Sequence, residues 1–159
     1  NPLIKCGKQI EEVLHSGGNN NKRITFEQVL EILHKCGFHD AERIYNSYPH
    51  ELSGGSRQKI LFAITAITKP EIIITDEPTS SMDIVSEREI MGLLNKNRKT
   101  ENQTLIFITH DISLAKEISN KILVLKSGEI VEQGETTRIF ENHKEEYTGI
   151  LIDNAKTYI

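Results

Sequence analysis

The sequence predicts an α/β fold in which a helical subdomain leads into a segment of parallel sheet, and the chain closes on a hairpin and helix. Three observations carry that expectation. Up to Tyr48, apolar residues recur at helical spacing and no strand-like run interrupts them. From Glu71 onward, short continuous apolar runs alternate with amphipathic stretches, the order that implies parallel pairing through short connections. Finally, "KILVLKSGEIVEQG" carries two apolar arms about Ser127-Gly128, which reads as a hairpin. The expected divisions are 1–52, 53–134 and 135–159.

Each element has its own signal. Ile10, Val13 and Leu14 repeat at helical spacing, and "TFEQVLEILHKCGF" places Phe26, Val29, Leu30 and Leu33 on one face. "SGGNNNKR" between them reads as a solvated loop, and Asp40 as the N-cap of "AERIYNSY". "SRQKILFAITAIT" is apolar enough for a buried helix. "EIIITDEP" and "TLIFITHD" read as strands buried on both faces. Between them, "DIVSEREIMGLLNKNRK" is an amphipathic helix with Asp83 as N-cap. Asp111 opens a short helix through "ISLAKEIS", and "TTRIFENHKEEYTGILI" closes the chain as helix.

Composition bounds the function classes. The 159 residues are 37% hydrophobic and 26% charged, a globular balance long enough for a core without disulfides. No window holds the ~18 uninterrupted apolar residues of a spanning helix, and the residues from Asn1 lack a signal-peptide pattern. A net charge of -4 offers no general attraction to nucleic acid. Cys6 and Cys36 are far apart and lack C-x-x-C spacing, as expected of reduced thiols in a cytosolic protein.

The residues that carry chemistry fall into three places. Leu52-Ser53-Gly54-Gly55 precedes a helix, where glycines allow close backbone approach and free N–H groups favour an anion such as phosphate. The same residues also read as a plain Ser53 cap followed by a turn. Asp76 and Glu77 end the first strand run, where ligands bind in open α/β sheets. Asp76 there suits Mg²⁺, and Glu77 suits polarising an attacking water, unless the two acids merely stop the strand. His110 ends the second run on the same sheet edge, within reach of a phosphate or with a structural role alone. "HKCGFH" offers His34, Cys36 and His39 as a soft metal set, against which Gly37 reads as a simple helix end.

In this order, LSGG, Ile72 to Glu77, Pro78 to Asp83, and His110 resemble the signature, Walker B, D-loop and H-loop of the ABC-type ATPase domain. "NPL", "GKQI", "YPHELSGG" with "RQ", "IVEQG", "IFEN" and "EYTGIL" look like its oligopeptide, dipeptide and nickel importer branch. The resemblance implies a partial P-loop NTPase fold with ATP and Mg²⁺ as ligands. Asp76 would serve Mg²⁺, Glu77 would be the general base, and His110 would contact the γ-phosphate. Ser53, Gly54 and Gly55 would cover ATP held by a second ATPase domain, met head to tail, and Asp83 would communicate across that interface. Other implied partners are transmembrane permease subunits facing the helical region and, indirectly, an extracytoplasmic substrate-binding protein. The place would be the cytoplasmic face of the membrane, peripherally.

The sequence also departs from that pattern. Ser56 stands where Gln or Met is usual, Ser81-Met82 replaces Ala-Leu, Thr75 interrupts the Walker B run, and Glu145-Glu146 stands where His-Pro is frequent. No cysteine-rich tail supports an iron–sulfur role. There is no G-x-x-x-x-G-K-[ST] loop; the Gly7-Lys8 pair is followed by Gln9. Asn1-Pro2-Leu3 matches the family just after its Q-loop, so the chain is expected to be a fragment. Alone it is expected to bind ATP poorly, hydrolyse essentially none and self-associate through unpaired strands. An SMC-like carboxyl-terminal ATPase lobe also lacks Walker A, but Pro78-Thr79 and the missing heptads favour a transporter. A non-catalytic remnant acting as an interaction module is the third reading.

Overall fold

The computed structural model describes residues 1–16, 25–68, 70–80, 82–101 and 103–156. The expected "SGGNNNKR" loop therefore lies almost wholly outside the described residues. The chain divides into two compact units, 1–73 with 78–106, and 74–77 with 107–159.

The first unit is mostly helical. Helices α1 (Cys6–Ser16), α2 (Phe26–Lys35) and α3 (Ala41–Asn46) lead through a 3₁₀ turn (Pro49–Glu51) into α4 (Gly54–Thr68), and α5 (Ile84–Glu101) follows later. The apolar spacing does what it predicts: Ile10, Val29 and Leu33 are fully buried, with Cys6, Ile44, Tyr45, Ile60 and Ala63 around them. Burial of each such large side chain stabilises the unit by roughly 1.5–3 kcal/mol. The caps are local. Asp40 accepts the Arg43 N–H, and the Gln28 side chain accepts from the Thr25 N–H at 3.0 Å. Gly37 has φ +83°, the left-handed conformation that ends a helix, which is the simple role its position suggests.

Strands β1 (Ile72–Asp76) and β2 (Thr104–Ile108) form a two-stranded sheet. They run in the same direction. The Thr104 N–H donates to the Glu71 carbonyl at their start (2.9 Å), and the Glu77 N–H to the Ile108 carbonyl at their end (3.0 Å). Burial on both faces is not realised, and this corrects the expectation. Ile73 is buried, but Ile72 and Ile74 are 56% and 67% exposed, and Ile106 and Ile108 are each 46% exposed. Among the described residues no apolar layer covers one face of this two-stranded sheet, so every second side chain stays in solvent. Thr75, which breaks the apolar run, buries Oγ1 without a hydrogen-bond partner among the described residues.

The second unit centres on the hairpin β3 (Lys121–Lys126) and β4 (Glu129–Glu135) with helices α6 (Ile112–Ile118), α7 (Thr136–Asn142) and α8 (Glu146–Lys156). Ser127 and Gly128 both have positive φ, +52° and +84°, matching the two-residue turn whose twist suits a hairpin. The antiparallel register shifts between Val124 and Leu125, leaving Val131 as the extra residue of a bulge. Ile122, Val124 and Ile139 form its core.

The closing segment is two helices rather than one. His143 is extended (ψ 151°), and the buried Glu132 carboxylate accepts from the Lys144 N–H (2.8 Å) and the Glu145 N–H (3.3 Å). Glu132 thus holds, from a strand, the two residues that lead into α8. Burial works to raise its pKa, but the Lys144 and Glu145 N–H groups hold the carboxyl below its ordinary range.

Candidate functional site

The expected site residues fall into two groups, one in each unit. In the second unit, β1 ends at Asp76 and the chain turns at Glu77, whose φ is +46°. That conformation is rare for a side chain with a Cβ, and a following proline disfavours it further. It is held by the Glu77–Ile108 backbone bond and by the side chain itself. Glu77 Oε1 accepts both the His110 backbone N–H and the His110 ring, each at 2.8 Å. A carboxylate only accepts, so Nδ1 carries the proton and Nε2 is the ring nitrogen left for another partner. His110 is 82% exposed and Glu77 34%. Strain of this kind collects at functional turns, and nothing in the composition of "TDEP" announces it.

The bond and charge of Glu77 raise the His110 pKa above the ordinary histidine value. The sign is that of a base gaining a partner. The pair's contribution is fully present below the unfolded pKa and fades as pH rises through the raised folded value. An NMR titration should find His110 titrating above a free histidine, and Glu77→Gln should bring it back. An unshifted wild-type His110 contradicts the pairing.

Asp76 is exposed at the strand end, and among the described residues no hydrogen bond or ion pair engages its carboxylate. A lone hard oxygen donor at this place fits Mg²⁺, which takes one or two carboxylates and completes its shell with water and phosphate. Among the described residues no cluster of three or more His, Cys, Asp or Glu could hold a metal alone. His34 Nδ1 instead bonds the Phe38 carbonyl at 2.9 Å, and Cys36 is buried with its thiol pushed up to about 11 by burial. The His34, Cys36 and His39 set is thus not assembled as a metal centre.

In the first unit, α4 begins at Gly54, so both glycines lie in its first turn. Ser53 caps it: Oγ accepts the Ser56 N–H at 3.2 Å and donates to Ser56 Oγ at 3.0 Å, while its carbonyl accepts from Arg57. The plain capping reading of Ser53 is therefore realised in this chain. The glycines differ from each other. A Cβ on Gly54 would meet nothing within 4 Å, whereas one on Gly55 would press on Ser86 at 2.8–2.9 Å. Asp83 caps α5, with Oδ1 accepting from the Val85 and Ser86 N–H groups and Oδ2 from the Ser86 hydroxyl. These bonds, that of the Ser86 backbone foremost, lower its pKa. Ser86 carried no signal of its own in the sequence.

The ABC transporter family profile matches residues 5–80. The dipeptide transport ATP-binding protein DppD of Lactococcus lactis is 38% identical over 158 residues, covering 98% of this chain and 45% of that protein. DppD of Haemophilus influenzae is 38% identical over 152 residues, covering 96% of this chain and 46% of that protein. The chain thus spans about half the length of these relatives. A dimeric bacterial ABC transporter cassette superposes with TM-score 0.71 at 28% identity, over 86% of this chain and 58% of that one. The same cassette has been seen in a post-hydrolysis state with ADP and Pi. A putative metal-chelate type ABC transporter shares the fold at TM-score 0.76 and 22% identity, over 97% of this chain and 60% of that one.

Proposed function

The chain carries part of the ABC ATPase fold and resembles the ATP-binding proteins of peptide importers, and on that premise we propose that it couples ATP hydrolysis to uptake of oligopeptides, dipeptides or nickel. The observation that carries the chemistry is the Glu77–His110 pair at the sheet edge. Glu77 Oε1 anchors the imidazole and favours its protonated form, in which Nε2–H donates to a phosphate oxygen, while the carboxylate accepts the proton of an attacking water. Asp76 would hold Mg²⁺, which when bound neutralises phosphate charge. Hydrolysis at these residues needs β- and γ-phosphates cradled by a glycine-rich loop and lysine, which these 159 residues do not include. The chain spans about half the length of the ATP-binding relatives it matches.

The turn at Ser53, Gly54 and Gly55 then covers the ATP of a second ATPase domain, with Asp83 at the same interface. The dimeric cassette among the structural neighbours supports this arrangement. Residues 1–52 would face permease subunits, residues 53–134 would supply the ATPase core, and residues 135–159 would close the chain. An extracytoplasmic substrate-binding protein would act indirectly. No helix among the described residues is long and apolar enough to cross a membrane, which suits a peripheral place on the cytoplasmic face. The relatives favour this transporter role over an SMC-like lobe. The experiment is ATP turnover by the product of the native gene, with and without Glu77→Gln.

A further inference from the structure

The two signature glycines face different surroundings. Gly54 looks into open space, but Gly55 is buried against the first turn of α5, with Ser86 where a Cβ would go. The hydroxyl of that same Ser86 donates to Asp83 Oδ2 at 2.8 Å. One turn further along both helices the contact repeats, with Lys59 (11% exposed) paired to Glu89 at 2.6 Å. Helices α4 and α5 are therefore fixed in register at two successive turns, and Ser86 occupies the turn nearest the proposed interface.

We propose that Ser86 is a positioning residue that locks the Asp83 loop to the Gly54-Gly55 turn, so that both meet the second ATPase domain as one rigid surface. This rests on the dimeric reading above. It gives the Cα side of Gly55 a packing contact within the chain, while the backbone N–H groups of the turn face the partner's nucleotide. Ser86 acts on turnover through Asp83, which its hydroxyl bonds, and through Gly55, against which it packs.

The test uses the native-gene product. Ser86→Ala drops the hydroxyl and keeps the backbone N–H bonds to Asp83. Expected is a fall in kcat of about three- to tenfold, the cost of one such hydrogen bond. The lost hydrogen bond should also lower the melting temperature slightly, while ATP affinity of the undimerised protein stays unchanged; a merely structural role would lower the melting temperature and leave kcat as it is. Separately, Gly55→Ala should lower the melting temperature, and Ser86→Gly added to it should recover most of that loss by vacating the space. Wild-type kcat in Ser86→Ala would overturn the positioning role. Absence of recovery in the double variant would overturn the packing assignment of Gly55. A wild-type protein without ATP turnover sinks the ATPase proposal, while the melting cycle still decides whether Gly55 and Ser86 pack as described.

Discussion

Glu77→Gln in the native-gene product should cut ATP turnover by at least about a hundredfold, the lower range of what a positioned general base supplies. The substitution is nearly isosteric. It keeps an acceptor oxygen for the His110 N–H, but an amide cannot take a proton from water. The strained turn at φ +46° is therefore expected to persist, and ATP binding with it. Loss of the negative charge should also remove the cause that raises His110. The two effects separate chemistry from folding: turnover falls, the His110 titration shifts down, and above the raised His110 pKa, where the pair's contribution has faded, the melting curve stays in place. Turnover within tenfold of wild type would contradict the role of Glu77.

Gly7→Ala should destabilise the helical unit. A Cβ at Gly7 would come within 2.0–2.4 Å of three ring atoms of Tyr45. That ring is 7% exposed, packs edge-on against Phe26 at 4.7 Å, lies under Lys8 Nζ and bonds Glu11 through its hydroxyl. It cannot move without losing several of these contacts, and forcing a methyl into such a site costs about 1–3 kcal/mol. Alanine's better helix propensity returns about 1 kcal/mol. At the upper end of that cost the net loss is about 2 kcal/mol, a fall of roughly 4–8 °C in melting temperature for a domain of this size. A melting temperature at or above wild type would show that Tyr45 does not rest on α1.

Much of this architecture is legible from residues alone, and the reasons differ by element. Asp40, Asp83 and Asp111 announce helix starts because capping is local, decided by a side chain and the next three N–H groups. Ser127-Gly128 announces its turn for the same reason. What stays hidden depends on partners remote in sequence. Gly7 reads only as half of a failed Gly-Lys pair until Tyr45 is placed against it. Glu132 looks like a strand residue until α8 arrives on its carboxylate, which also explains the break at His143. The isoleucines of β1 are correctly apolar, yet the sequence cannot say which of their faces this chain covers. At the site, residue types point to Asp76, Glu77 and His110, but the positive φ of Glu77 and the two hydrogen bonds its Oε1 accepts emerge only from the meeting of two strand ends.

We propose that Glu77 and His110 of one protomer work on ATP covered by Ser53, Gly54 and Gly55 of another. Mixing two inactive variants of the native-gene product tests it most directly. Gly54→Asp would spoil only the covering turn, and Glu77→Gln only the hydrolytic side. A head-to-tail pair of one of each contains one composite site with both halves intact. Random pairing puts half the protomers in such mixed dimers with one of two sites working, so about a quarter of wild-type turnover should return. No recovery, with mixed dimers demonstrably formed, would contradict a site shared between protomers.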